Sequence, residues 1–331
     1  MTKQHDVRFP LGPFVRYEQN PILSPQGDSW EAKDLFNPTA VVRGDEIYLF
    51  YRAEDHAGAG AWNGTSRIGL AISRDGVHFE RLPRPVIEPT EPYELPGGCE
   101  DPRVVEVEGR YYLTYTAYDG STARLCLATS EDLIHWHKHG PVFQDGPHAR
   151  WSKSGAIVPG RIGGRLVMYF GDTDIWVAFS EDGIHWEAEP EPVIRRNPDP
   201  RAFDSLLVEP GPTPVLTDEG ILLIYNGARR IVHGPDAGKP YYAVGQALFS
   251  LEDPARLIRR THTPVMIPET KEELRGQVDF VVFAEGLVHF QGTWFLYYGM
   301  ADSHIGVARC TPTRAAEPQD EVEPEDEEIA V

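Results

Sequence analysis

The chain has few cysteines and no long apolar run. Its 331 residues include three cysteines, Cys99, Cys126 and Cys310, which lie too far apart in sequence for a zinc signature. An odd, sparse set of thiols favours a reducing cytoplasm. No hydrophobic stretch approaches the length of a membrane span, and the first fourteen residues lack the apolar segment of a signal peptide. We therefore expect a cytoplasmic protein with no membrane partner.

The chain also lacks a basic stripe. Its net charge is −20, and residues 317–328 contribute eight acids and no base, so the remainder carries −12. Such a surface cannot neutralise phosphates, which argues against nucleic acid or an anionic membrane as a partner. We expect residues 1–310 to form a single domain and residues 311–331, rich in Pro and Glu, to form a disordered acidic tail.

A third absence is that of amphipathic helices, since only residues 270–274 have modest helical character. This argues against a doubly wound fold, which needs helices between its strands. The chain instead repeats a β-hairpin five times, each time between polar clusters and with an aromatic second strand. A glycine at each turn supplies the positive φ that tight hairpins need. The five hairpins span residues 37–55, 100–119, 153–174, 209–229 and 285–302.

A Ser-x-Asp turn motif, with a degenerate last copy, sets the period of the repeat. Its serines (Ser73, Ser130, Ser180 and Ser250) are 57, 50 and 70 residues apart, which suits about four short strands per unit, as in a propeller blade. The last strand, at residues 305–309, is followed by no partner strand. The proline-hydrophobic pair that follows the turn motif in the other units is missing from the last unit and occurs instead at residues 20–23. We therefore predict an all-β, five-bladed β-propeller whose ring is closed by N- and C-terminal strands in one blade. A sandwich would not repeat one hairpin five times.

The repeated acids and histidines of the turn motif have a structural interpretation. Its aspartates are expected to be turn formers, and the histidines three residues later to share a packing role. Equivalent positions in different blades lie far apart, so a metal site is not expected. The aspartates are Asp75, Asp132 and Asp182, and the histidines are His78, His135 and His185.

The polar clusters around the hairpins predict the functional site. The innermost strands of a propeller line its channel, so these clusters should converge at one mouth. Carboxylates with aromatic walls suit a neutral polyhydroxylated ligand such as a sugar. The aromatics are Trp62, Trp151, Tyr118, Tyr241 and Tyr242. The polar residues are Asn37, Arg52, Asp55, Glu100, Asp101, Arg103, Asp119, Lys153, Asp172, Asp174, Glu209, Asn226, Glu285 and Asp302.

An ordered set of short motifs runs through most of the chain, to about Cys310. The motifs are Asn37-Pro38 with Arg52, Ser66 with Ala71-Ile-Ser-Arg-Asp-Gly76, Glu100-Asp-Pro-Arg103, Gly211-Pro-Thr-Pro214 with Thr217, and Tyr297-Tyr-Gly-Met-Ala-Asp302. In these motifs the sequence resembles glycoside hydrolase family 130, the mannoside phosphorylases and related mannosidases, which are five-bladed propellers acting on β-mannosides.

The resemblance implies roles for particular residues. The proton donor of the family corresponds to Asp101, which must be protonated when it donates to the departing oxygen. Glu100 would raise the pKa of Asp101, whereas Arg103 would lower it if it pointed the same way. Neither a cofactor nor a metal is implied. Residues matching positions that hold the sugar are Asn37, Arg52, Asp55 and Asp302, and further substrate-binding candidates are Ser66, Glu100, Arg103, Lys153, Asp172, Asn226 and Tyr242.

The chain departs from the phosphorylases where they bind phosphate. The resemblance predicts an arginine, a lysine and a histidine where this chain has Phe170, Leu207 and Asn226. A glycine position is occupied by Glu209, and a carboxylate there would repel a phosphate dianion. Lys153 as a residual phosphate ligand, or a relocated site using Arg229 and Arg230, remain alternatives.

The same departure supplies the second carboxylate of an inverting hydrolase, which deprotonates water. Glu209 is the candidate base, with Glu285 as the backup, although Glu209 could instead only bind a sugar hydroxyl. The first hypothesis is an inverting, exo-acting β-mannosidase that prefers β-1,2 linkages and takes a β-mannoside oligosaccharide as substrate. The alternatives are a mannoside phosphorylase with a rearranged anion site and a non-catalytic sugar-binding propeller. Homo-oligomerisation is left open.

Overall fold

The computed structural model describes residues 5, 7–57 and 64–311. The predicted all-β fold is confirmed, with two short α-helices, α1 (Gly146–Arg150) and α2 (Lys271–Leu274), and a 3-10 turn at Pro92–Glu94. Helix α2 lies in the one segment predicted to be helical, whereas α1 and the 3-10 turn were not predicted. No helix in the described part of the chain is long and apolar enough to cross a membrane. Trp62 and nearly all of the predicted tail lie outside the described residues.

The strands group into five antiparallel units that match the five predicted hairpins, and units 1 and 2 are joined in one eight-stranded sheet because Ser66 and Gly98 form a parallel bridge. Strand β1 (Val15–Arg16) comes first in the chain but pairs with the last strand. Unit 1 contains β2 (Asp34–Arg43), β3 (Glu46–Glu54), β4 (Ser66–Ser73) and β5 (Glu80–Arg81), and unit 2 contains β6 (Gly98–Val107), β7 (Arg110–Tyr118), β8 (Ala123–Ser130) and β9 (His137–Pro141). Unit 3 contains β10 (Ala156–Ile157), β11 (Leu166–Phe170), β12 (Trp176–Ser180) and β13 (Glu187–Ala188). Unit 4 contains β14 (Leu207–Pro210), β15 (Val215–Thr217), β16 (Gly220–Arg230), β17 (Pro240–Phe249) and β18 (Leu257–Arg260), and unit 5 contains β19 (Val282–Phe290), β20 (Thr293–Met300) and β21 (His304–Cys310).

The two ends of the described chain meet in one sheet. Strand β1 pairs with β21 in the register Val15 to Arg309, and Leu23 forms a further antiparallel bridge with Ile305. The prediction that N- and C-terminal strands share one unit is therefore confirmed.

Five apolar clusters form the core, and each joins two units that are neighbours in the chain or at its ends. For example, Ile68 of unit 1 and Leu113 of unit 2 belong to one cluster. Leu49 of unit 1 and Tyr297 of unit 5 belong to another, so the last unit packs against the first. The remaining three clusters join units 2 and 3, units 3 and 4, and units 4 and 5. Each unit thus packs on two others.

A buried tyrosine fastens four of the five units. Its hydroxyl donates to a buried carboxylate that precedes the first strand of the unit, and a cation from the outer strand contacts the same carboxylate. The four sets are Tyr51, Glu31 and Arg81; Tyr115, Glu94 and Lys138; Tyr225, Asp204 and Arg260; and Tyr298, Glu273 and Arg16. Unit 3 differs, because the hydroxyl of Tyr169 donates instead to the Pro254 carbonyl.

The turn motif has the predicted role for its aspartates and not for its histidines. Asp75 accepts the backbone amides of Val77 and His78 at 2.9 Å each, and Asp132 and Asp182 repeat this geometry. The expected packing role of the histidines is wrong, because their side chains are 73–87% exposed and Nδ1 contacts the turn aspartate at 2.7 Å. A ring that contacts the carboxylate of its own turn projects away from the core.

Bulges interrupt the first strands of three units at corresponding places. The register shifts between Phe36 and Thr39 in β2, between Glu100 and Arg103 in β6, and at Glu285 in β19. In β2 and β6 the bulge contains a proline, which cannot donate to the ladder. A bulge redirects side chains, and the bulged segments carry three of the predicted site residues, Asn37, Asp101 and Glu285.

Candidate active site

Asp101 lies at the meeting point of three units. It adopts the left-handed conformation, with φ 50°, and is buried. Its Oδ1 accepts from Arg52 Nη1 of unit 1 at 3.0 Å, and its Oδ2 lies 2.9 Å from Lys153 Nζ, just before unit 3. The structure thus brings together three residues predicted from separate hairpins.

Arg52 organises the acids on the unit 1 side. Its Nη2 donates to Glu54 Oε1 at 2.8 Å and to Glu100 Oε1 at 3.1 Å, and its Nε donates to Ser66 Oγ at 2.8 Å. The guanidinium stacks on Phe36, 4.4 Å from the ring centroid. Although burial opposes the charge, Glu100, Glu54 and Asp101 raise the pKa of Arg52.

Arg103 connects unit 2 with units 4 and 5. Its Nε and Nη2 donate to the carbonyls of Gly211 and Pro210 at 3.0 and 2.7 Å, and Nη2 lies 2.6 Å from Glu285 Oε1. The side chain of Asn37 also interacts with the Glu285 carboxyl. The Arg103 guanidinium therefore binds two backbone carbonyls and contacts the buried Glu285 carboxyl.

Glu209 is held by the turn that also contacts Asp101. The hydroxyl of Ser154 donates a short hydrogen bond to Glu209 Oε1, while the preceding Lys153 pairs with Asp101. Ser154 has φ 60°, a left-handed conformation that turns these two successive side chains toward different acids. The candidate acid and the candidate base are therefore both contacted by residues 153–154.

The carboxyl groups of the site differ in pKa. Burial is the largest influence on Asp101 and would raise its pKa, but the Lys153 and Arg52 cations hold the pKa of Asp101 below its usual range. Burial raises the pKa of Glu100 and Glu209 to about 7, against the opposing cations Arg52 and Lys153. In the free protein the order of these pKa values is the reverse of what the expected roles require, because the candidate acid Asp101 is held ionised and the candidate base Glu209 has the raised pKa.

Glu285 and Asp302 are further acids with raised pKa. Burial raises the pKa of Glu285 well above its usual value, and Arg103 only partly opposes this. Although Asp302 is only half-buried by exposed area, its crowded surroundings raise the pKa of its carboxyl to about 7. Both groups are influenced by the charge of Asp101, so they lie at the same site.

Asp172 and Tyr242 border the site near Glu209. Burial, followed by the charges of Glu209 and Asp302, raises the pKa of Tyr242. The charge of Asp172 helps to raise the pKa of Glu209 and that of Lys153. Its Oδ2 accepts a hydrogen bond from Trp151 Nε1 at 2.7 Å.

Two predicted site residues are committed elsewhere. Asp55 accepts the amides of Ala57 and Thr65 and pairs with Arg67 at 2.7 Å, which fixes its own loop. The buried Asn226 amide exchanges two hydrogen bonds with the backbone of Ala284. The sugar-binding role of these two residues stays a prediction. Asp119 and Asp174 likewise pair with Arg124 and Arg196 outside the cluster.

Sequence reasoning missed Glu54 and Ser154. Glu54 lies two residues after Arg52 in the same strand, so the two side chains share a face, and that spacing could have identified it. Ser154 follows Lys153 directly and precedes Gly155, but no sequence pattern marked its left-handed conformation.

Carboxylates outnumber cations around Asp101. The three cations Arg52, Arg103 and Lys153 each contact at least one carboxylate. Phe170 is buried in an aromatic cluster. Arg229 stacks over Tyr241 at 5.1 Å, and Arg230 donates to the Gly238 carbonyl, so their guanidinium groups are bound along the β16–β17 hairpin.

Comparisons with known proteins identify the family of the chain. The family model described as β-1,4-mannooligosaccharide phosphorylase matches residues 14–314. A 1,2-β-oligomannan phosphorylase of Thermoanaerobacter sp. (strain X514) is 37% identical, with 88% of this chain and 95% of the relative covered, and a β-1,2-mannobiose phosphorylase of the same organism is 34% identical, with 89% and 96% covered.

Solved structures extend the comparison. A glycosyl hydrolase from Bacteroides ovatus is 36% identical with a TM-score of 0.85, and the alignment covers 96% of this chain and 99% of that one. A second structure, also 36% identical with a TM-score of 0.85 and covering 95% and 98%, is described as showing that the mannoside phosphorylases of this family include hydrolases targeting β-1,2 mannosidic linkages in Candida mannan. The chain is an enzyme that acts on glycosides. It belongs to glycoside hydrolase family 130.

Proposed function

We propose that this enzyme is an inverting, exo-acting β-mannosidase that prefers β-1,2 linkages, with Asp101 as the acid and Glu209 as the base. The observation that carries the proposal is the position of Glu209, where a buried carboxylate with a pKa of about 7 shares the residue 153–154 turn with Asp101. An inverting pair needs a second carboxylate that can accept a proton from water.

The charge balance of the site supports water over phosphate as the acceptor. A phosphate dianion near Glu209 would also lie near Asp172 and Asp101, whose charges already raise the pKa of Glu209. At 4 Å, two unit charges at an effective dielectric constant of 20 interact by about 4 kcal/mol, so each ionised carboxylate opposes the anion strongly. Lys153 is already paired with Asp101.

The reaction then takes one inverting step. Glu209 removes a proton from water, the water oxygen attacks the anomeric carbon, and the carbon–oxygen bond to the leaving group breaks as Asp101 gives its proton to the glycosidic oxygen. Asp101 and Glu100 share Arg52, so the pair holds a proton near pH 7 as a unit. Substrate that separates Lys153 from Asp101 moves this proton to Asp101. We expect the Asp101 and Glu209 carboxyls to lie about 6.5 to 9.5 Å apart, as in inverting pairs.

We also propose that the five units are the blades of a closed five-bladed propeller within residues 1–310. The pairing of β1 with β21 and the packing of unit 5 on unit 1 support this arrangement. The bulges of β2, β6 and β19 would then face one channel mouth. Cytoplasmic location and the tail at 311–331 stay predictions.

A mannoside phosphorylase is the second candidate, because the two similar relatives from Thermoanaerobacter are named phosphorylases. In that case Lys153, released from Asp101, would serve as a phosphate ligand. Both candidates share Asp101 as the acid and differ in the acceptor.

The test is a substrate panel in phosphate-free buffer. We expect free mannose from β-1,2-mannobiose, slower or no release from β-1,4-mannobiose, and removal of one mannose at a time from a β-1,2-mannotriose. Products are separated by anion-exchange chromatography. Turnover that requires added phosphate would replace the hydrolase with the phosphorylase.

A further inference from the structure

The segment before unit 3 is built differently from its counterparts. Unit 3 has no buried carboxylate under its tyrosine, because Tyr169 donates to a backbone carbonyl. Helix α1 is held instead by His148, whose ring lies 4.8 Å from Phe170 and 5.3 Å from Trp176. Phe170 stands where the family pattern predicts a phosphate-binding arginine. The replacement therefore supports the segment that leads from α1 into the site.

This segment presents one tryptophan at the edge of the site. Trp151 follows α1 and is 46% exposed, and no other tryptophan, tyrosine or phenylalanine in the described residues is as exposed. Its indole is not free to rotate, because Nε1 donates to Asp172 at 2.7 Å. The next residue, Ser152, is buried, donates its amide to the Ala123 carbonyl and accepts the Leu125 amide.

The position of Trp151 relative to Asp101 indicates which sugar it meets. Asp101 Oδ1 faces Arg52 of unit 1, and Oδ2 faces Lys153, two residues after Trp151. In an exo-acting enzyme the sugar whose glycosidic bond is cut occupies the closed end of the site, here expected among the buried Arg52, Asn37 and Asp101, whereas the exposed Trp151 lies at the rim, where the departing group meets solvent.

We propose that Trp151 is the stacking platform for the sugar ring of the leaving group, with Asp172 as the positioning residue that orients the indole. A pyranose presents an apolar face of C–H groups, and a fixed, exposed indole offers a matching apolar surface with a polar edge. This inference rests on the proposed β-mannoside substrate. It does not depend on whether water or phosphate is the acceptor.

The test is binding of sugars to a slowed enzyme. Calorimetry measures the affinities for mannose and for β-1,2-mannobiose of three proteins that all carry Asp101→Asn. One keeps Trp151, and the other two carry Trp151→Ala or Trp151→Phe. We expect Trp151→Ala to weaken mannobiose binding about five-fold, by analogy with aromatic contacts worth about 1 kcal/mol, and to change mannose binding less than two-fold. Trp151→Phe should recover part of the loss, since it keeps a ring but loses the bond to Asp172.

Controls separate this inference from the proposed function. Val232→Ala, which removes an exposed apolar side chain in the β16–β17 connection, should leave both affinities unchanged. The proposed role of Trp151 is refuted if Trp151→Ala leaves the affinity for mannobiose unchanged, or if it lowers the affinities for mannose and mannobiose equally. If the Asp101→Asn protein with Trp151 intact binds neither sugar, the proposal that the substrate is a mannoside is refuted instead. Indole fluorescence that responds to mannobiose but not to mannose, and only when Trp151 is present, would support the platform independently of turnover.

Discussion

Asp101 is held between Arg52 and Lys153, and its conversion to an amide tests its role as the acid. Asp101→Asn should slow cleavage of β-1,2-mannobiose by roughly 10² to 10⁴-fold, the usual contribution of a general acid. An activated aryl β-mannoside needs less protonation of its leaving group and should be slowed far less. Steady-state kcat/KM for both substrates measures the difference, and near wild-type turnover of mannobiose would remove Asp101 from the mechanism.

Glu209 and Glu285 compete for the role of base. Glu209 is contacted by Ser154, whereas Glu285 is paired with Arg103 and has no exposed area. We expect Glu209→Gln to abolish cleavage of natural and activated substrates alike, because a good leaving group cannot replace deprotonation of water. Glu285→Gln should retain measurable turnover. The reverse order of effects would transfer the base role to Glu285.

The pKa of about 7 at Glu209 predicts the pH dependence. A base must be ionised, so kcat/KM for an aryl mannoside, which depends little on the acid, should fall about ten-fold per pH unit below 7 and level off above it. Glu100 and Asp302 also have pKa values of about 7, so the profile is repeated with Glu100→Gln and Asp302→Asn. An acidic limb that disappears in either variant while activity persists would assign the titration to that residue.

The tyrosine contacts that fasten the units give a prediction at the scale of elements. Tyr115 and Tyr169 are buried at corresponding positions, but Tyr115 donates to the carboxylate of Glu94 at 2.8 Å and Tyr169 to the neutral Pro254 carbonyl at 2.9 Å. Hydrogen bonds to charged groups contribute about 1.5 to 3 kcal/mol and neutral ones about 0.5 to 1.5. Tyr115→Phe should therefore lower the free energy of unfolding in urea more than Tyr169→Phe. If Tyr169→Phe lowers the free energy of unfolding as much as Tyr115→Phe or more, the bond to the carboxylate does not stabilise its unit more than the bond to the carbonyl.

The sequence predicted the strands well because period and turn chemistry are local. The hairpins follow from a repeated short pattern, and the helix near Thr270 follows from local helical character. A segment missing from the last repeat predicted that the two chain ends share one unit, although it placed the N-terminal segment at residues 20–23 and not at β1. No bulge was predicted, although Asn37-Pro38 and Asp101-Pro102 carry a signal for two of them, since proline inside a strand removes a ladder donor; the glutamate bulge in β19 carries no such signal. Helix α1 was not predicted, because it is held by contacts of His148 with Phe170 and Trp176 from β11 and β12.

Individual site contacts depended on packing between units, which no local pattern encodes. Arg52, Asp101 and Lys153 were expected to converge and do so, because they occupy equivalent ends of their hairpins. Asn226 occupies a similar end, yet its amide bonds to the Ala284 backbone of the neighbouring unit. Only the relative placement of units 4 and 5 determines that contact.

At the scale of the whole molecule, a site rich in carboxylates lies where side chains from several units meet. Three cations meet a larger number of acids there, and each cation already contacts a carboxylate. Such a site favours a neutral nucleophile over an anionic one. The central claim is therefore that the acceptor of the mannosyl group is water.

Time-resolved proton NMR of the reaction, recorded with and without phosphate, tests this claim most directly. The alditol of β-1,2-mannobiose is the substrate of choice, because the released mannose is then the only free reducing sugar. We expect α-mannose as the first product, at a rate that phosphate does not increase. Formation of mannose 1-phosphate as the main product, with no turnover in phosphate-free buffer, would contradict it.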